Sequence, residues 1–206
     1  MARTRFDNLD DEKQERIIEA AGEEFAEKGY EGASINQIIK RAGISKGSLY
    51  YYFEDKEDVF TTVLTYVSEK VLKETSGITF DHLTAETYWP MMEAMGEKGA
   101  EYVKERPWYM RFARVFYEVY QPGETEGPGV KAMDWSRKIT TDLIARGQEL
   151  GVVRDDMPTD YLAAMMMGLG DGANRWLMER LDDLSELDLK AHQQRQFKLM
   201  RRLLSP

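Results

Sequence analysis

The densest run of groups suited to non-covalent chemistry spans Ser45 to Phe53 and reads Ser-Lys-Gly-Ser-Leu-Tyr-Tyr-Tyr-Phe. A lysine in the first turn of a helix adds its charge to the positive end of the helix dipole, and the two together suit a phosphate. Ser45, Ser48 and the tyrosines add hydroxyl donors, and tyrosine ring faces suit thymine methyl groups. On a helix Leu49 and Phe53, four apart, form a buried edge. Gly47 and Tyr51 then face outward, with Lys46, Ser48 and Tyr50 beside them. A mid-helix glycine costs about 1 kcal/mol relative to alanine, which makes sense where another surface must come close to the backbone. A competing reading makes Tyr50–Phe53 an aromatic core patch, and it weighs most on Tyr52.

Covalent and redox chemistry finds no comparable arrangement. The chain has no cysteine and only two histidines, His82 and His192, far apart in sequence. A thiol nucleophile, a disulfide and a thiolate metal site are therefore excluded, and a His-rich metal cluster is not expected. The carboxylates show no spacing that specifies acid–base work, so neither enzyme activity nor a cofactor is expected. Gly168-Leu-Gly-Asp-Gly-Ala173 fits a loose dinucleotide-binding pattern, but it sits in a Met-rich helical stretch with no strand before it and is set aside.

The elements that must hold the Ser45–Phe53 run are helical throughout. Ile17, Ala21 and Phe25 repeat at four, with Asp10, Asp11 and Glu12 before them and Gly29 after, which predicts a first helix over 10–28. Ser34 with Gln37 reads as a capping box for a second helix over 35–41, stopped at Gly43 by a left-handed turn. Ser45 caps the third helix, and Asp55 a fourth that carries Val59, Phe60, Val63, Leu64, Val67 and Val71 on one side. After a break at 76–83, helices are expected at about 84–105, 107–120, 130–149, 159–182 and 186–204. A Gly/Pro-rich loop fills 121–129, and no convincing strand alternation occurs. The fold class expected is all-α, with an N-terminal helix-turn-helix domain over 1–56 and a larger helical domain over 57–206.

Charge argues against a nucleic-acid partner at first sight. The net charge is −9, and residues 1–56 hold nine Lys/Arg against twelve Asp/Glu. The acids crowd into Asp7–Glu31, however, whereas Lys40, Arg41, Lys46 and Lys56 face only Glu54 and Asp55 over their stretch. Arg3 and Arg5 precede the first helix, where they reach a DNA backbone or minor groove as a flexible arm, or else remain a solvated tail. The start lacks the apolar stretch of a signal peptide, and no run approaches the ~18 apolar residues of a membrane span, so a cytoplasmic location with no membrane partner is expected.

The stretch Ala33–Phe60, with Glu27-Lys28-Gly29-Tyr30 before it, resembles the helix-turn-helix of TetR-family regulators over roughly residues 10–65. Ser34 stands where Thr is usual, Tyr52 where His is common and Ile39 where a small Ala packs. The resemblance implies an all-α homodimer that binds a palindromic operator in double-stranded DNA and releases it when a small-molecule inducer enters the C-terminal domain. The DNA-binding residues then expected are Ser34, Ser45, Lys46, Gly47, Ser48, Tyr50, Tyr51, Tyr52 and Lys56, with Lys56 on a phosphate.

All four tryptophans lie beyond residue 75, and Tyr109, Phe112, Phe116 and Tyr120 form a stripe at helical spacing. Such a stripe serves either as core or as the wall of an apolar cavity. On the second reading Trp89, Trp108, Phe112, Phe116, Trp135 and Asp171 line a ligand site, with Glu93, Glu118 and Asp134 as further partners for a cationic ligand. Ala163, Met166, Gly170, Ala173, Leu177 and Leu181 form an apolar seam, and Leu187, Phe197, Leu199, Met200, Leu203 and Leu204 another. Both suit a four-helix dimer interface or intramolecular packing. A different class of reading makes the chain a helical small-molecule-binding or enzyme module with the N-terminal helices as scaffold.

Overall fold

The computed structural model describes residues 2–75, 80–183 and 185–206, and every regular element among them is helical. In order these are α1 (Ala2–Asp7), α2 (Asp11–Gly32), α3 (Ile35–Ala42), α4 (Lys46–Tyr52), α5 (Lys56–Thr75) and α6 (Tyr88–Glu105). They continue with α7 (Trp108–Val119), α8 (Val130–Glu149), α9 (Thr159–Met178), a 3-10 turn at Leu181–Asp183, and α10 (Glu186–Leu204). Part of the break expected at 76–83, residues 76–79, lies outside the described residues. The helix expected from 84 starts at Tyr88, because Thr84 and Thr87 exchange amide-to-hydroxyl bonds of 2.9 and 3.4 Å and cap it. The helix expected to reach 182 ends at Met178, its last stretch tightening into the 3-10 turn.

α2 is broken where its sequence says it must be. Gly29 takes φ 69° and ψ 173°, a conformation open to glycine, and a final turn to Gly32 follows. α1 was not expected at all. Its Phe6 is buried against Phe53, 5.2 Å between ring centroids.

The chain forms two compact units. The first comprises Met1–Val67 and Arg106–Met133, the second Ser68–Glu105 and Asp134–Pro206. The boundary expected at 56/57 thus falls inside the first unit. Val59, Phe60 and Val63 on the early turns of α5 belong to the N-terminal core, and so does the aromatic face of α7.

In the first unit Phe25 of α2, Phe60 of α5 and Phe112 of α7 meet at 5.0 to 6.1 Å between centroids, all fully buried. Fully burying such a ring contributes about 1.5–3 kcal/mol. Arg106 also pairs with Glu15 and Glu19 of α2, but partly exposed ion pairs contribute ~0–1 kcal/mol, so ring burial decides that α7 lies on α2. In the second unit Tyr88, Leu143, Ile144, Val153, Leu162, Ala163, Met166 and Leu204 form a separate core. There the Tyr88 hydroxyl donates to the Leu143 carbonyl at 3.1 Å, and burial raises its pKa.

Candidate nucleic-acid interface

α3 ends on a left-handed Gly43, φ 62° and ψ 36°, whose N–H returns to the Ile39 and Lys40 carbonyls. The Ile44 N–H also reaches the Ile39 carbonyl at 3.2 Å. This glycine-based stop leaves three residues before α4 begins. Ser45 then caps α4, its Oγ accepting the Ser48 N–H at 3.0 Å. The edge predicted for α4 is buried as expected, Leu49 at 0% and Phe53 at 1% exposure, over a bed that includes Ile38 and Ala42.

The outer face carries Lys46, Gly47, Tyr50 and Tyr51. The two tyrosines are 49% and 54% exposed. A Cβ placed on Gly47 meets only the Ser45 Oγ, at 3.8 Å, so nothing inside the chain requires a glycine there. A glycine there leaves the backbone open to a close approach from outside. Ser48 is half-buried, and its hydroxyl is 2.9 Å from that of Ser45, which puts both serines in the cap. Lys56 opens α5 with its ammonium on the Glu31 carbonyl at 3.2 Å and 4.7 Å from the Tyr30 ring centroid. Asp55 caps that helix through the Asp58 N–H at 2.8 Å, as expected.

Two expected features at this face are corrected. Tyr52 is 8% exposed, its ring against Phe53, and its hydroxyl receives the Lys13 ammonium at 3.2 Å. It therefore supports the recognition helix from beneath instead of standing among the outward contacts. Ser34 caps α3 without a side-chain bond, and the Ser34–Gln37 capping box is absent. The reason is Glu24, a buried carboxylate on α2 whose Oε1 accepts the Ser34 N–H at 3.1 Å, the donor that Gln37 needed. Ser34 is left half-exposed beside the turn.

Arg41, one of the four bases counted toward this face, is committed elsewhere. Its guanidinium bridges Glu27 at 2.7 Å, Glu24 at 3.4 Å and Glu23 at 3.5 Å, and its hydrogen bond holds the Glu27 carboxyl below its ordinary pKa. Three acids of α2 are thereby matched at α3. Sequence reasoning missed that Arg5 lies over Tyr51, its guanidinium 4.5 Å from the ring centroid. The available signal was Phe6, a large apolar residue between the polar runs Arg3–Arg5 and Asp7–Asn8.

The profile of the bacterial regulatory proteins, tetR family, matches residues 17–63, which takes in most of α2, all of α3 and α4 and the start of α5. The helix-turn-helix segment of this chain, residues 17–63, is of the TetR-family kind. Among curated relatives, the uncharacterized HTH-type transcriptional regulator YdgC of Bacillus subtilis is 32% identical over 71 residues, 34% of this chain and 36% of that protein. The HTH-type transcriptional repressor AcnR of Corynebacterium diphtheriae is 24% identical over 189 residues, 88% of this chain and 93% of the relative. Among solved structures, the transcriptional regulator FadR of Bacillus subtilis, in complex with stearoyl-CoA, shares the fold with a TM-score of 0.68 at 17% identity, over 92% of this chain and 98% of that one.

Beyond this TetR-like segment, the residues expected to line a ligand site are divided between the two units. Trp108, Phe112 and Phe116 are buried in the first unit's core, where Trp108 covers Gly22 of α2 and Phe112 meets Phe25 of α2 and Phe60 of α5. Trp89 is in the core of the second unit, Trp135 is half-buried on α8, and Asp171 on α9 is bound by Arg175 at 3.0 Å. A cleft of about 180 Å³ between α6 and α10 is lined by none of these six. Met92, Phe197 and Met200 give it an apolar part, and Glu93, Glu97 and Lys190 a charged one. Glu118 and Asp134 are exposed and are not among its lining residues.

The dimer seam also needs correction. Ala163, Met166 and Leu177 are buried within the chain, Gly170 and Ala173 are half-buried, and Leu181 is half-buried in the 3-10 turn. An exposed stripe of α9 lies on the opposite side, where Tyr161 (54% exposed), Met165 and Trp176 (44%) alternate with Gly168 and Gly172, and Trp176 also stacks on His192 and lies under the Arg180 guanidinium. A Cβ on either glycine meets nothing within 4 Å. On α10 Leu199 is exposed, whereas Leu204 is buried; the Leu187 side chain lies outside the described residues. Among the described residues no helix is long and apolar enough to cross a membrane.

Proposed function

We infer that this chain is a ligand-responsive transcriptional repressor that binds a palindromic operator as a homodimer and leaves it when a small molecule binds the second unit. One observation carries the reading. α4 is held by two buried anchors and a glycine turn, yet it keeps Lys46, Gly47, Tyr50 and Tyr51 outward with no internal use for the glycine. A helix presented in this way suits a major groove, and a two-fold dimer presents two of them about 34 Å apart along the duplex.

The second copy docks on the α9 stripe of Tyr161, Met165, Gly168, Gly172 and Trp176, continued by Leu199 on α10. Small residues between large ones let two helices approach closely. Effector binding belongs to the second unit, where the α6–α10 cleft offers apolar and charged walls. The stearoyl-CoA held by the Bacillus subtilis FadR structure supports small-molecule control in a chain of this fold. The chain crosses between units within α5, between Glu105 and Arg106, and within α8. Two continuous helices therefore link effector and operator ends, and a coupling of about 1–3 kcal/mol suffices for regulation. The site of action in this reading is the cytoplasm.

The test is selection of bound duplexes from a random pool by the purified chain at moderate salt. A two-fold symmetric motif is expected, with binding lost in Lys46→Ala and Tyr51→Ala. Folded, ligand-free protein that enriches nothing refutes the reading.

A further inference from the structure

α1 is a built element and not a frayed start. Phe6, 1% exposed, sits between the rings of Phe53 and Tyr66, at 5.2 and 6.3 Å. The Gln14 carboxamide on α2 reaches back to the carbonyls of Phe6, Asp7 and Leu9 at 3.1, 3.0 and 3.2 Å, adding a side-chain donor at the C-terminal end of α1, where the Phe6 carbonyl also accepts the Leu9 N–H at 3.0 Å. These contacts fix the backbone from which Arg5 projects. The Arg5 guanidinium lies over the Tyr51 ring, 4.5 Å from its centroid, and its Nη1 donates to the Tyr51 carbonyl at 3.3 Å.

That carbonyl is in the last turn of α4, where helix carbonyls lack intrahelical partners and the dipole is negative. Glu54 and Asp55 follow directly. Without a cation this end of the recognition helix repels phosphate, even though Lys46 attracts it at the other end. Arg5 forms no ion pair with a described carboxylate, and it is solvent-exposed. One of its five donors is used on the Tyr51 carbonyl, which leaves the rest of the planar fork for a second acceptor, and phosphate oxygens match that geometry.

We propose that Arg5, carried by α1 at the C-terminal end of the recognition helix, binds a DNA backbone phosphate flanking the groove that α4 enters. The proposal rests on the DNA-binding reading above. α1 is then part of the DNA interface, and Lys46 and Arg5 bracket α4 with one cation at each end.

The experiment measures affinity of the full chain for its selected duplex, and for an unrelated one, across a salt series by fluorescence anisotropy. Arg5→Gln keeps a donor for the Tyr51 carbonyl and removes the charge. It is expected to weaken both duplexes by the same factor and to reduce the slope of log K against log salt by about 0.9, one phosphate's worth. Arg5→Lys is expected to keep the slope. An unchanged slope in Arg5→Gln overturns the proposal, including the case where affinity falls and Arg5 only holds Tyr51 in place. Wild-type protein that binds no duplex fails earlier, and that result refutes the DNA-binding reading together with this one.

Discussion

Gly22 lies in the middle of α2 under the indole of Trp108. A Cβ added there comes 2.2, 2.5 and 2.6 Å from three carbons of that ring, so the ring must move by more than 1 Å to reach an ordinary contact of about 3.5–4 Å. It has little room, since Trp108 is 5% exposed and Phe112 and Tyr109 lie 6.0 and 5.8 Å from it. Overpacking of this kind costs about 1–3 kcal/mol or more, against a helix-propensity gain of about 1 kcal/mol for Gly→Ala. With an overlap this large the upper part of the range applies, and Gly22→Ala is expected to lose about 2 kcal/mol net. Gly99 in α6 has nothing within 4 Å of its Cβ position, so the same substitution there is expected to gain up to ~1 kcal/mol. Urea unfolding of both variants, with midpoints compared at equal slope, reads the difference directly. A Gly22→Ala protein as stable as the wild type refutes the packing argument, because α7 would then be free to shift on α2.

Removing the outward cation in Lys46→Ala is expected to weaken operator binding and lower its salt slope by about 0.9, with the melting curve unchanged. Trp176→Glu places a charge in the proposed dimer face and is expected to give monomers by analytical ultracentrifugation; dimers that persist in this variant refute the face. Burial and, secondarily, Arg195 keep the His192 pKa below its ordinary value, so native stability is full above about pH 6.5 and falls as acid protonates the unfolded chain preferentially. His192→Gln is expected to flatten that part of the stability–pH curve, and an equal slope in the variant counts against the assignment. Arg41→Ala leaves the buried Glu24 carboxylate without its counter-charge and is expected to cost about 1–3 kcal/mol, less than a fully buried broken pair because Arg41 is 31% exposed; calorimetry with no shift in melting temperature contradicts it.

The helix-turn-helix was legible because its signals are local. Ser45 caps the residue three ahead, Gly43 stops α3 on its own backbone freedom, and Leu49 with Phe53 define a face within one helix. The late start of α6 has a local cause, the Thr84–Thr87 cap, but the larger failures involve partners distant in sequence. Glu24 takes the Ser34 amide from ten residues away, so a correct local motif was outcompeted. The α7 stripe of Phe112 and Phe116 was read properly as apolar, yet its destination depended on α2 and α5. α9 carries apolar residues on two sides, and periodicity cannot say whether Ala163 and Met166 or Tyr161 and Met165 face the chain's own core.

The acidic composition and the DNA-binding reading are reconciled by where the charges are spent. Glu23, Glu24 and Glu27 converge on Arg41, and Glu15 and Glu19 on Arg106, so five of the acids on α2 have a cation close by within their own unit. Charges beyond about 8 Å are largely screened at physiological salt, and a phosphate at α4 responds chiefly to Lys46, the tyrosine hydroxyls and nearby bases. The net charge of −9 still acts at longer range and at low salt, where it opposes association with any duplex. Non-specific affinity should therefore be low and specific affinity should rest on close contacts at the groove. For a repressor that must find one operator among many competing sites, it is the ratio of these two affinities that matters. An acidic body lowers the denominator of that ratio, while a few outward groups on α4 supply the numerator.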